Sequence, residues 1–323
     1  MRPHLLRLVL ALSIVAASAR CAGSDDVADE PGGDDVAIDE PAVLDGGDDA
    51  DEPVAADLDT DSDMDLARGD IDCTPDGLGE DDSVDLVLAR YVVDGDLGAD
   101  CFGEPDDVLL DAWDDLAAIT PPDQLNDLAA FAGFASTEGG DEETLAYVTP
   151  LDGEGETFLM AINLDAYEDD RDQALLTVAH EFSHVFTLLP SQVDRSNEAF
   201  DSCETYLSSE GCFLDDSLIA AWVDEFWSDA QLDSLDPEAD PSGAEGEARC
   251  AADPGFLGPY AASDPEEDFA ESFSAYVFDV EAASDGQQDR LDWLAEQPGL
   301  VAFRDRAVDA GLTPLANEFE TCG

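Results

Sequence analysis

The chain contains three histidines, His4, His180 and His184. The last two stand in the stretch TVAHEFSHVF, Thr177–Phe186, as His180-Glu181-x-x-His184. On a helix, positions four apart lie one turn apart on the same face, so two imidazoles can reach one metal ion. Zinc accepts neutral imidazole, and in catalytic sites it keeps one position for water, whose pKa it lowers toward ~7. Glu181, beside the first ligand, can take a proton from that water and later deliver it to a leaving amine. The chemistry this spacing predicts is hydrolysis of a peptide bond, with His180 and His184 as metal ligands, Zn2+ as cofactor and Glu181 as general base.

Histidine scarcity then constrains the rest of the site. Once an N-terminal signal is removed, no third histidine is left, so a carboxylate is expected to complete the ligand set, ahead of a cysteine, which an oxidising compartment disfavours. Two segments offer one. The stretch SNEAFDS, Ser196–Ser202, carries Glu198. The stretch YAASDPEEDFAESFSAYVF, Tyr260–Phe278, carries Glu267, Asp268 and Glu271 on a helix. There the apolar stripe Phe269, Phe273, Tyr276, Val277 and Val280 leaves Glu271 on the opposite face. Glu267 or Asp268 could take its place, or orient a ligand histidine from outside the coordination sphere.

The His180–His184 motif on its amphipathic helix resembles the zincin superfamily. A metzincin would have Gly at 187 and His at 190; this chain has Thr187 and Pro190, which leaves the gluzincin type. SNEAFDS resembles the thermolysin-type N-E-x-x-S-D helix, with shorter spacing and the final pair reversed as Asp201-Ser202. EDFAESF, Glu267–Phe273, is similar to the second zinc helix of anthrax-lethal-factor-like zincins. Together with HEFSH, CETYLSSEGC and GCFLDDSLIAAWVDEFW, it is also similar to a group of bacterial zinc-peptidase lipoproteins. The resemblance spans Ala174 to Val280 and does not cover the N-terminal part. It implies Glu271 as third zinc ligand and Tyr260 as the group that stabilises an oxyanion.

Periodicity supplies the elements that must hold these residues. The helix from about Arg171 has apolar residues at Leu175, Val178, Ala179, Phe182, Val185, Phe186 and Leu189, and Pro190 ends it. His180 and His184 fall opposite that stripe, facing a lined cleft. Thr144–Thr149 and Thr157–Asn163 read as a hairpin, and the second strand offers an edge to an extended substrate. Val108–Ile119 reads as a helix and Leu128–Ala135 as a strand, while Val84–Val93 fits either. Later helices are expected at Ser217–Asp229, Pro265–Val280, Gln287–Glu296 and Leu300–Ala310. For the second of these, Asp264 serves as N-cap and Pro265 as first residue. Leu235–Pro259 reads as a break. Strands followed by helices predict an α+β fold. It would be zincin-like: a small, mostly antiparallel sheet packed on the His180–His184 helix, then a helical C-terminal subdomain.

Of 323 residues, 81 are acidic and 11 basic, a net charge of −70 that argues against nucleic acid and anionic lipid headgroups as partners. Residues 1–21 read as an export signal: Arg2 and Arg7, the apolar run Leu8–Ala17, then Ala17-Ser18-Ala19. Cys21 is a possible lipid anchor, although Arg20 before it departs from the small residue usual there. Residues 22–72, rich in Asp, Glu, Gly, Pro and Ala, predict a disordered acidic tether, and residues 73–323 a peptidase domain. Removing Cys21 from the seven cysteines leaves six, suited to disulfides in an oxidising compartment. A local Cys203–Cys212 bridge, with Cys73–Cys101 and Cys250–Cys322, is the simplest pairing. These readings converge on an exported zinc metallopeptidase, extracellular or in the cell envelope, acting on a peptide or protein. The alternative is a non-catalytic zinc-binding envelope protein of the same shape.

Overall fold

A mixed sheet supports the helix that carries the two histidines. The computed structural model describes residues 71–79, 84–136, 144–197, 202–235, 244–319 and 322. The export signal, Cys21, nearly all of the acidic segment and Glu198 lie outside them. The strands are β1 (Val84–Val93), β2 (Asp96–Phe102), β3 (Leu128–Ser136), β4 (Ala146–Pro150) and β5 (Phe158–Asn163), in the order β2-β1-β3-β5-β4. All neighbours are antiparallel except β3 and β5, which are parallel.

Alternation along the strands builds two apolar layers. Phe131, Phe158, Met160 and Ile162 point to the helical side, while Ala130, Ala132, Phe134, Leu159 and Ala161 point to a smaller cluster on the other. Leu86 and Leu88 should share a face but lie on opposite ones. The register explains this. Leu86 pairs with Phe134 and Leu88 with Gly133, so Val87 is an extra residue and is the exposed one. The segment that fits either helix or strand by sequence is therefore a bulged strand.

Helices α1 (Asp107–Ile119), α2 (Leu164–Asp169) and α3 (Arg171–Thr187) pack with the larger layer. Asp170 caps α3 by accepting from Gln173 N, and Pro190 follows its end. Leu188 N closes the last turn on His184 O. The hairpin β4–β5 forms as expected, with Ala146 opposite Ile162. The edge assignment is corrected: β5 lies between β3 and β4, its ladder bonds filled on both sides, and the edge strand is β4.

Beyond α3, a small sheet of β6 (Val193–Asp194), β7 (Leu207–Ser208) and β8 (Gly211–Phe213) has the order β6-β8-β7. It precedes α4 (Leu218–Phe226), α5 (Asp229–Leu232), α6 (Ala244–Ala252), α7 (Pro265–Val277), α8 (Asp285–Ala295) and α9 (Pro298–Ala310). Helix α6 occupies part of the segment expected as a break. The fold class is α+β. Disulfides join Cys73 to Cys101, Cys203 to Cys212 and Cys250 to Cys322, which fits an oxidising compartment. Among the described residues, no helix is long and apolar enough to cross a membrane.

The turn that ends β4 is organised by Asp152. Its carboxylate accepts from Glu154 N at 2.9 Å, Glu156 N at 3.0 Å, Thr157 N at 2.9 Å and Thr157 Oγ1 at 2.7 Å. Burial pushes this carboxyl up, but the hydrogen bonds outweigh it and leave it below its ordinary value. The folded-state value is then lower than the unfolded one. The stabilisation is present near neutral pH and lost as pH falls through the folded value. Asp152→Ala should cost about 1–3 kcal/mol at neutral pH. Urea unfolding at neutral and strongly acidic pH should show that difference shrinking in acid.

Candidate metal centre

The site lies where α3 packs on α7. Asp264 caps α7 by accepting from Glu266 N at 2.9 Å and Glu267 N at 3.0 Å, and Pro265 is its first residue, as the sequence predicts. Phe186 of α3 meets Phe269 and Phe273 of α7 edge-on, with ring centroids 6.3 and 5.2 Å apart. The polar faces of the two helices meet beside that apolar contact. His180 and His184 do not face an open cleft: residues 174–187 are buried throughout. His180 is 1% exposed, Glu181 0%, His184 4% and Glu267 5%.

The histidines point the same ring atom inward. His180 Nε2 and His184 Nε2 are 3.3 Å apart. Glu267 Oε2 lies 3.1 Å from His180 Nε2 and 3.8 Å from His184 Nε2. His180, His184 and Glu267 thus form a buried group able to hold a metal ion. Ligand atoms around a tetrahedral ion at roughly 2.0–2.1 Å stand about 3.3 Å from one another. The three donors fit that spacing.

Glu271, expected as the third ligand, is placed differently. Its Oε1 is 2.9 Å from His180 Nδ1, the ring nitrogen facing away from His184. The contact is at ion-pair distance but off hydrogen-bond geometry, and a carboxylate on that side favours the tautomer that leaves Nε2 free to bind. Glu267 and Glu271 are one turn apart on α7, so the expected face is right and the expected residue is displaced by one turn. The group able to hold an ion thus contains Glu267, while Glu271 sits at the other nitrogen of the His180 ring. Asp268, the other alternative, points elsewhere: it accepts from Arg290, Trp222 and Trp227.

Two further groups line the centre without partners. Among the described residues, both carboxylate oxygens of Glu181 are buried and accept no hydrogen bond, and the buried Tyr260 hydroxyl makes none. The Tyr260 and His180 rings stand 5.9 Å apart between centroids. Burial raises the Glu181 carboxyl, the charges of His180 and His184 lower it, and Glu267 and Glu271 raise it again; it settles at about 7. Burial also raises Tyr260, and the charges of Glu267 and Glu181 raise it further, so its phenol stays protonated. For His180 burial works downward, but Glu267 and Glu271 outweigh it and hold the imidazole well above its ordinary value. Burial would raise Glu267, yet His184 and His180 hold it well below the usual carboxylate range.

A small pocket of about 20 Å³ lies beside the first half of α3, lined by Leu145, Ile162, Ala166, Ala174, Thr177 and Val178 among others; the histidines and glutamates of the centre are not among its walls. Thr177 lies one turn before Glu181 on the same face.

The geometry separates the two glutamates by experiment. Glu267→Ala should abolish tight binding of a divalent metal. Glu271→Gln should weaken it by roughly 10–100-fold, the usual effect of losing a carboxylate behind a ligand histidine. Calorimetric titration of the metal-free protein with Zn2+ checks both. No family model matches the chain, and no curated protein or solved structure is significantly similar to it.

Proposed function

We propose that this protein is an exported zinc-dependent peptidase that hydrolyses peptide bonds, with His180, His184 and Glu267 holding the metal. The donor set of two imidazoles and one carboxylate suits zinc. The observation that carries the reading is Glu181, whose two buried oxygens are unpartnered beside a three-donor group. A carboxylate withdrawn from water with no partner costs free energy, and a catalytic base is a reason to keep it there.

When bound, zinc supplies a Lewis acid that polarises the scissile carbonyl and acidifies water. The protein's own residues do the rest. A free oxygen of Glu181 takes one proton from the attacking water as its oxygen bonds to the carbonyl carbon. The same carboxyl then gives that proton to the leaving amine as the C–N bond breaks. The Tyr260 hydroxyl donates to the oxyanion that develops on the carbonyl oxygen. Glu271 keeps the His180 ring turned with Nε2 toward the metal. An extended substrate would pair with the edge strand β4.

A non-catalytic zinc-binding envelope protein is the second reading, and the burial of the histidines favours it. Against it, structural zinc sites close with four protein ligands. Here the ion-sized group has three donors, and the neighbouring Glu181 carboxylate and Tyr260 hydroxyl have no hydrogen-bond partner among the described residues.

Glu181→Gln should retain zinc at wild-type stoichiometry while peptide hydrolysis falls by about 10²–10⁴-fold. Equal hydrolysis by the variant and the wild type, measured on a fluorogenic peptide library, would remove the assigned base. Tyr260→Phe should lower kcat by about 10²–10³-fold with KM little changed, as for loss of one oxyanion donor.

A further inference from the structure

We propose that the Asp268–Arg290 ion pair, with Trp222 and Trp227 as its indole donors, is the positioning device that sets where α7 presents Glu267 and Glu271. The inference rests on the metal reading of the site. Asp268 is fully buried, next to Glu267 in sequence and three residues before Glu271. Its Oδ2 accepts from Trp222 Nε1 at 2.9 Å and from Trp227 Nε1 at 3.0 Å. Arg290 Nε lies 3.0 Å from Oδ1 and 3.2 Å from Oδ2. The donors come from α4, from the residue that caps its end, and from α8. Two separate pieces of chain, supplying three donor side chains, therefore converge on one carboxylate of α7.

The cation is itself fixed. The guanidinium carbon of Arg290 stands 4.9 Å from the centre of the Phe226 ring and 4.7 Å from that of Phe256. Gly255 makes room for it: a Cβ there would lie 2.6 Å from Arg290 Nη1. Gly286 O accepts from Nη1 at 3.4 Å.

Helix geometry turns this clamp into a control on the site. Successive side chains diverge by about 100°, so Asp268 is gripped roughly a quarter-turn away from the face of Glu267 and Glu271. Aromatic packing alone lets a helix roll. A roll of about 10° moves a carboxylate held ~6 Å from the axis by about 1 Å, more than a metal ligand tolerates. Directional, charge-assisted hydrogen bonds to one carboxylate resist that roll. Bulk alone would not need them, because apolar residues of similar volume fill such space equally well.

The test measures zinc affinity by competition with a chromophoric chelator and, in parallel, the Tm of the metal-free protein. The variants are Trp227→Phe, Asp268→Asn and Arg290→Lys. Leu294→Ala, which empties a fully buried apolar position of α8 outside the network, is the control. We expect Asp268→Asn and Arg290→Lys to weaken zinc binding about 10–100-fold and Trp227→Phe several-fold. Each loss should exceed that of Leu294→Ala at an equal fall in Tm. The Co2+-substituted variants should also show altered ligand-field bands. Trp227→Phe keeps the ring and the charges, so it decides the matter if the other two fail to fold. Zinc affinities that follow Tm on the same line as Leu294→Ala would overturn the clamp and leave the metal reading intact. A wild-type protein that binds no zinc would overturn the metal reading and the clamp together.

Discussion

Four carboxylates are withdrawn from water where α3 and α7 meet: Glu181, Glu267, Asp268 and Glu271. Buried charges of this kind cost several kcal/mol each unless partners answer them. The C-terminal helices supply one answer, Arg290 and two indoles around Asp268. Helix α3 supplies another, the two imidazoles facing Glu267 and Glu271. The sheet makes both possible by giving α3 a rigid wall, so that its histidines have a fixed place against which α7 can be set. Even Arg249, distant in sequence, contributes: it donates to Ala262 O and Ser263 O and so holds the segment that leads into α7.

Much of this was legible in the sequence where one local signal decided the outcome. Helix α3 follows from its apolar period, its Asp170 cap and Pro190; α7 follows from Asp264 and Pro265. Where several segments decide together, the sequence was weaker. The bulge at Val87 breaks the alternation of β1, so its residues satisfy neither period cleanly. Strand β2, DLGADCF, has little intrinsic strand preference and is held by pairing with β1 and by the Cys73–Cys101 bridge. Helix α6 has a charged, glycine-containing sequence; Cys250 and Arg249 anchor it to the chain that follows.

The site divides along the same line. Periodicity places His180 and His184 on one face of α3, with Glu181 about a quarter-turn from it, and Glu267 and Glu271 on one face of α7. It cannot give the axial offset between two helices, and one turn of offset is the whole difference between Glu267 and Glu271 as the group facing Nε2. It also reads the face opposite an apolar stripe as exposed. That inference fails when a second helix brings its own polar face to cover the first, as α7 does here. Asp268 was visible only as one more acid in an acidic chain, because its three donors come from Trp222, Trp227 and Arg290, which no local pattern connects to it.

Charge counting ties the two histidines to the scarcity of other cations. With both imidazoles neutral, as metal ligation requires, Glu181, Glu267 and Glu271 would carry a formal −3, and a divalent cation among the Nε2 atoms and Glu267 would leave −1. With 11 arginines among 323 residues and no lysine, few side-chain cations are available to fill that role. The one buried next to α7, Arg290, is committed to Asp268. The residual unit of charge falls to Glu181, which accepts no hydrogen bond and has no cationic side chain of its own. A carboxylate in that position gains from taking up a proton and loses little by giving it back. The electrostatic imbalance that makes this interface costly is thus the same property that suits Glu181 to moving a proton.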